Sequence, residues 1–165
     1  MKKLAIQNLI LDDSDVENKI KRIGLEILED NTDESKITLF GISDNGKLIA
    51  EKLVSYINKI SDIETVLIDV VIENGPPEYT GKFNILDESI IIVGDVSQTG
   101  KTLQIVISNL MLHNPSKIKT SVIINRDQTM YPVKIDYVGL GLSTSVNEHV
   151  DVMVDKKNRL SVYLS

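Results

Sequence analysis

Ser89-Ile90-Ile91-Ile92-Val93-Gly94-Asp95-Val96-Ser97-Gln98-Thr99-Gly100-Lys101-Thr102 decides how this chain folds. The apolar run 90–93 is short, β-branched and closed by Gly94, which predicts a fully covered central strand. Leu103, Ile107, Leu110 and Met111 then recur at helical spacing, so a helix follows. The polar segment between them lies at that helix's N-terminus, where unpaired backbone N–H groups and the positive end of the helix dipole point past the strand's carboxyl end. Ser97, Thr99 and Thr102 add hydroxyl donors. A phosphate is the expected occupant; the alternative is an ordinary strand-to-helix turn in which the same side chains cap the helix.

Counting residues separates two phosphate-binding readings. Gly100-Lys101-Thr102 matches the end of the nucleotide loop G-x-x-x-x-G-K-[ST], but the upstream glycine, Gly94, comes one residue too early and Asp95 stands where glycine is required. A carboxylate there would aim negative charge at the phosphates. The stretch instead resembles the phosphoribosyl-diphosphate (PRPP) motif of type I phosphoribosyltransferases, which has four apolar residues, two acidic residues and a short run ending in T-G-x-T. Here 90–93, Gly94-Asp95, Val96-Ser97-Gln98 and Thr99-Gly100-Lys101-Thr102 fall into that register. The one departure is Gly94 at the first acidic position.

Further landmarks resemble the PyrR-like branch of that family, the uracil phosphoribosyltransferases and pyrimidine-operon regulators. They are Ile10-Leu11-Asp12 before a helix, Leu39-Phe40-Gly41-Ile42 with a short loop to Gly46, Val122-Ile123-Ile124-Asn125-Arg126 and Ile135-Asp136-Tyr137-Val138-Gly139, in that order. Ser143-Thr144-Ser145 and the closing hairpin match more loosely. The resemblance implies that Asp95 orients the ribose and steadies positive charge at its anomeric carbon, while Ser97, Gln98, Thr99, Gly100, Lys101 and Thr102 hold the 5′-phosphate. It implies that Ser43-Asp44-Asn45-Gly46 form a diphosphate loop, that Lys82 assists the leaving diphosphate, and that Arg126 lies at the base pocket. Mg²⁺ would arrive bound to the diphosphate substrate, with no metal site of the protein's own.

Each of those positions also has a plainer reading. The 43–46 segment lacks the family's basic side chains and reads equally as a turn in which Asp44 or Asn45 caps the next helix. The Gly- and Pro-bearing stretch 73–82 reads as a flap closing over the sugar or as a surface excursion. Arg126 reads as a donor to carbonyl or phosphate oxygens, or as a surface arginine paired with Asp127 or Asp136. His113 suits a helix C-terminus, and His149 an exposed position near a strand start.

The 165 residues, 42% of them hydrophobic, predict one domain over 1–165 with a substantial core. With no cysteine and two histidines, disulfides, thiol catalysis and a histidine-rich metal site are excluded. Asp13-Ser14-Asp15-Val16-Glu17-Asn18 fails as a calcium loop because Asn18 and Gly24 stand where the turn glycine and closing glutamate are needed. Lys2-Lys3 is followed by Gln7, Asn8 and three aspartates rather than a signal-peptide pattern, and no apolar run approaches membrane-spanning length, so the expected location is the cytoplasm, away from membranes. A net charge of −6 weighs against broad contact with nucleic-acid phosphates. Expected partners are PRPP or a nucleoside monophosphate, a nucleobase, and a second copy of the chain in a homodimer or larger homo-oligomer.

Helix and strand patterns alternate along the chain. A helix begins at a Ser14/Glu17 capping box and carries the stripe Val16, Ile20, Ile23 and Ile27. Strand 37–42, helix 47–60 and strand 65–72 follow, then the motif strand and helix, strands 119–125 and 135–140, and a hairpin of 150–154 with 160–164 around Lys156-Lys157-Asn158. This grammar predicts an α/β fold: a single doubly wound, mostly parallel sheet flanked by helices, as in type I phosphoribosyltransferases, with a C-terminal β-hairpin. Two functions fit such a chain: transfer of phosphoribose from PRPP to a nucleobase such as uracil, or nucleotide sensing by a cradle that has lost turnover.

Overall fold

The computed structural model describes residues 7–145 and 147–165; the Lys2-Lys3 start lies outside them. The elements are β1 (Asn8–Leu11), α1 (Asp13–Asp30), β2 (Lys36–Ile42), α2 (Ser43–Ile60), β3 (Glu64–Val71), β4 (Glu78–Tyr79), β5 (Ser89–Ser97) and α3 (Lys101–Leu110). A 3₁₀ turn (Met111–His113), β6 (Lys117–Asn125), β7 (Tyr137–Gly141), β8 (Val150–Val154) and β9 (Leu160–Leu164) complete the order. The main sheet runs β4-β3-β2-β5-β6-β7 and is parallel except for the two-residue edge strand β4.

Both faces of the central strands are covered because their apolar residues alternate between two cores. Leu39, Ile91 and Val93 point to α1 and α2, whose stripes Val16, Ile20, Ile23, Ile27 and Ile49, Ala50, Leu53, Ile57 are buried there. Phe40, Ile90 and Ile92 point to the opposite face, against Leu103, Val106 and Leu110 of α3. The parallel register pairs Leu39 with Ile91 and Phe40 with Ile92, so like faces meet across the β2/β5 seam. Met111, expected on the α3 stripe, falls instead in the 3₁₀ turn and is 60% exposed.

Three local features differ from the sequence reading. The α1 capping box is formed by Asp12 and Asp15, not Ser14 and Glu17: Asp15 N–H donates to Asp12 Oδ1 at 2.8 Å and Asp12 N–H to Asp15 Oδ2 at 3.1 Å. A carboxylate accepts such bonds as well as a hydroxyl and complements the dipole besides. The 73–82 stretch is not wholly irregular: β4 pairs its Glu78 and Tyr79 with β3, and Tyr79 packs edge-on against Phe40 and Phe83 while its hydroxyl donates to Asn109 Oδ1 at 2.7 Å. Burial pushes the Tyr79 hydroxyl up to about 12, so it stays a donor at neutral pH. Finally, the closing hairpin has its expected bounds but joins β1 in a separate antiparallel sheet, β1-β9-β8.

Candidate functional site

The strand order reverses direction at β2: α2 leads from it to β3 on one side, and β5 flanks it on the other. Ligands of doubly wound sheets sit outside the carboxyl ends of the strands at such a point. Here the carboxyl ends of β2 and β5 carry the two segments that the sequence singled out, residues 43–46 and 97–102.

The motif strand continues beyond Val93, through Gly94 and Asp95 to Ser97, because β6 pairs with it up to Ser97↔Asn125. Only residues 98–100 form the turn into α3. Gly100 caps the helix with φ at 81°, a left-handed conformation that costs a residue with a Cβ about 1–2 kcal/mol. The turn's carbonyls face the protein. Ser97 O accepts from Arg126 N–H at 2.8 Å, Thr99 O from Met130 and Tyr131 N–H at 2.9 and 3.1 Å, and Gly100 O from Gln104 N–H at 2.9 Å. The amides are left free: among the described residues, no protein acceptor takes the N–H of Gln98, Thr99, Gly100, Thr102 or Leu103. They border a cavity of about 170 Å³ lined by residues 96–103, with the exposed Lys101 at its rim.

A second cavity of about 170 Å³ shares Val96, Thr102 and Leu103 with the first and extends to Ser43, Gly94 and Asp95. The two cavities adjoin at these shared residues, and we refer to them together as the groove: residues 97–102 line one end and the Asp95 carboxylate the other. Asp95 is half-buried; its Oδ1 accepts from Val96 N–H at 2.7 Å and its Oδ2 from Asn45 Nδ2 at 2.9 Å. A Cβ on Gly94 would meet Val122 Cγ1 at 3.6 Å, ordinary van der Waals contact, so a side chain can leave the backbone at this position without a clash.

Residues 43–46, expected as a loop, are the first turn of α2, with Ser43 at a positive φ of 59°. Gly46 permits this close approach, since a Cβ there would lie 2.7 Å from the Val93 carbonyl oxygen. Ser43 and Asp44 are exposed, and Asn45 is turned to Asp95. The nearest basic side chain in the chain, Lys47, is committed to Asp69 by an ion pair of 2.8 Å. That hydrogen-bonded pairing raises the Lys47 ammonium above its ordinary value.

Arg126 is not a surface residue and does not pair with Asp127 or Asp136. It is 3% exposed; Nε donates to Thr144 Oγ1 at 2.9 Å and Nη2 to the carbonyls of Glu148 at 2.7 Å and Ser145 at 3.3 Å. Its guanidinium therefore holds the segment before β8. Lys82 is exposed just beyond Gly81, and among the described residues no carboxylate lies within ion-pair distance of it. The structure thus brings Asp95, Asn45 and residues 97–102 together; it does not bring Lys82 or Arg126 to the groove. The Asn45–Asp95 bond and the Met130/Tyr131 clamp on Thr99 were not anticipated. The only sequence signal for the clamp is that residues 127–133 follow a strand's carboxyl end.

Comparison with known proteins gives the family and the fold. A family model described as a phosphoribosyl transferase domain matches residues 7–157. The bifunctional protein PyrR of Bacillus cereus is 31% identical, covering 94% of this chain and 96% of its own, and that of Streptococcus pneumoniae is 28% identical over 87% of each. Among solved structures, the hypoxanthine phosphoribosyltransferase of Trypanosoma cruzi superposes with a TM-score of 0.80 at 15% identity over 95% of each chain. A hypoxanthine-guanine phosphoribosyltransferase from Bacillus anthracis gives 0.72 at 17% identity, over 82% of this chain and 84% of its own. At those identities the structural likeness speaks for the fold alone.

Proposed function

We propose that this chain, which belongs to the type I phosphoribosyltransferase family and to its PyrR-like branch, binds the ribose 5-phosphate of PRPP in the groove and transfers the phosphoribosyl group to a nucleobase such as uracil. The bond from the anomeric carbon to diphosphate breaks, a bond to a ring nitrogen of the base forms, and that nitrogen's proton leaves. The observation that carries the reading is the set of unpaired amides around the cradle beside residues 97–102. Five N–H groups without a protein acceptor make an anion the complementary occupant.

In this reading the cradle takes the 5′-phosphate, with Thr99 and Thr102 hydroxyls and Lys101 in support. Asp95, at the far end of the groove, accepts from the ribose hydroxyls and places negative charge near the anomeric carbon as positive charge develops there. Among the described residues, no cluster of three or more His, Cys, Asp or Glu could hold a metal ion. The single groove carboxylate instead suits a Mg²⁺ that arrives on the diphosphate, since Mg²⁺ binds through one or two carboxylates plus substrate phosphates. When bound, that ion neutralises charge on the leaving group. Lys82 is the unpaired cation that a movement of its segment could add, and Arg126 acts by holding Thr144 and the backbone carbonyls of Ser145 and Glu148.

A second reading, nucleotide binding without turnover, is favoured by Gly94 and by the first turn of α2, which offers the diphosphate no basic side chain. One experiment separates them: diphosphate release from PRPP, measured with a panel of bases, with and without Mg²⁺. Transfer predicts Mg²⁺-dependent release that falls at least 100-fold in Asp95→Ala. Full activity in that variant refutes the role of Asp95, and tight binding of nucleoside monophosphates with no transfer to any base favours the second reading.

A further inference from the structure

The carboxamide of Asn45 joins three parts of the molecule. Its Nδ2 donates to Asp95 Oδ2 at 2.9 Å and to the Val152 carbonyl oxygen at 3.1 Å, so both amide hydrogens are engaged. Val152 belongs to β8, the strand at the edge of the small sheet, whose far side has no strand partner among the described residues. Asn45 itself is half-buried in the first turn of α2. One side chain therefore links the helix that follows β2, the acid at the tip of β5 and the outer edge of the C-terminal hairpin.

We propose that Asn45 is a positioning residue for Asp95: it fixes the plane of the carboxylate so that its free lone pairs face the ribose hydroxyls, and it registers the hairpin against the sugar site. The proposal rests on the ribose 5-phosphate reading. Rotation about the terminal torsion of an aspartate is soft, so an acid held only by its neighbouring amide would sample many orientations. With Val96 N–H on Oδ1 and Asn45 on Oδ2, the plane is set from both sides. An ionised carboxylate has about four acceptor sites, so two remain for a pair of hydroxyls. An amide does this without carrying charge. A lysine or arginine at the same place would neutralise Asp95; the asparagine orients it and leaves its full charge to the sugar.

The test is calorimetric titration of the whole chain with two probes, UMP and inorganic phosphate, for the wild type, Asn45→Ala, Asn45→Ser, Asp95→Ala and the Asn45→Ala/Asp95→Ala double variant. UMP carries ribose hydroxyls; inorganic phosphate reports the cradle alone. The expected result is a loss of UMP affinity of about tenfold in both Asn45 variants, the scale of one hydrogen bond to a charged group. Inorganic phosphate binding should stay within about twofold of wild type, and the double variant should bind UMP no worse than Asp95→Ala alone, because Asn45 acts through Asp95. Unchanged UMP affinity, additive losses in the double variant, or equal losses for both probes would overturn the proposal, the last by showing a merely structural effect. If wild type binds neither probe, the phosphate reading itself fails, an outcome distinct from any failure of Asn45.

Discussion

Arg126 Nη2 donates to the Glu148 carbonyl at 2.7 Å from a side chain that is only 3% exposed. A cation at the end of β6 is thus spent on backbone oxygens of the segment leading to β8, and its effect on the groove is indirect. Arg126→Leu leaves those oxygens and Thr144 Oγ1 without their donors, so we expect a stability loss of about 2–4 kcal/mol in urea unfolding. A loss under about 0.5 kcal/mol, coupled with a collapse of ligand affinity, would instead mark Arg126 as a ligand contact.

Gly94 tests how much the missing acid matters. Because a Cβ there meets only Val122 Cγ1, at 3.6 Å, Gly94→Asp should fold with nearly wild-type stability. A second carboxylate at the strand tip adds a charged acceptor for ribose hydroxyls, worth about 1.5–3 kcal/mol. PRPP should bind on the order of tenfold or more tightly by calorimetry. A variant that folds and binds PRPP no better than wild type would contradict the reading of this position.

Gly46 tests the seam between α2 and β5. A methyl group 2.7 Å from the Val93 carbonyl must push backbone from backbone, so Gly46→Ala should lose about 1–3 kcal/mol in thermal or urea unfolding. Ligand affinity should fall with it, since the displaced turn carries Asn45. Wild-type stability would show that α2 does not approach the strand this closely.

The hairpin that Asn45 grips has an acid-sensitive turn. Asp155 is held down to about 2, chiefly by the Arg159 side chain, whose Nε lies 2.7 Å from Oδ2, and further by backbone N–H groups. A carboxyl with a depressed value stabilises the folded hairpin fully above its ordinary value near 3.8, and that contribution is lost as pH falls through about 2. Carboxyl titration by NMR should place Asp155 well below the ordinary aspartate value near 3.8, and Asp155→Asn should remove the corresponding acid-dependent step in hairpin amide exchange. A titration midpoint near 3.8 would remove the basis for that step.

Much of the fold was legible because it rests on periodicity. The α1 stripe Val16, Ile20, Ile23 and Ile27 and the strand core Ile90–Val93 are all buried, and the hairpin strands begin and end where alternation predicted. What escaped the sequence depended on partners far along the chain. β1 is stabilised by β9 at the opposite end, with Asn8 paired to Leu164, and β5 continues past Gly94 only because β6 lies beside it. Ser43-Asp44-Asn45-Gly46 has loop composition, yet helix α2 begins there because Gly46 can pack on Val93. The cradle was readable since a strand, a glycine-bearing turn and a helix are local. The role of Arg126 was not, because its acceptors belong to Thr144, Ser145 and Glu148, 18 to 22 residues further along the chain.

Backbone amides would be the phosphate's main partners, and ¹H–¹⁵N NMR observes those amides directly. Titrating the labelled chain with UMP, and in parallel with uridine, should shift the amide signals of Gln98, Thr99, Gly100, Thr102 and Leu103 strongly with the nucleotide and weakly with the nucleoside. Absence of any shift at these five with UMP, or equal shifts with uridine, would contradict the assignment of this turn as the 5′-phosphate site.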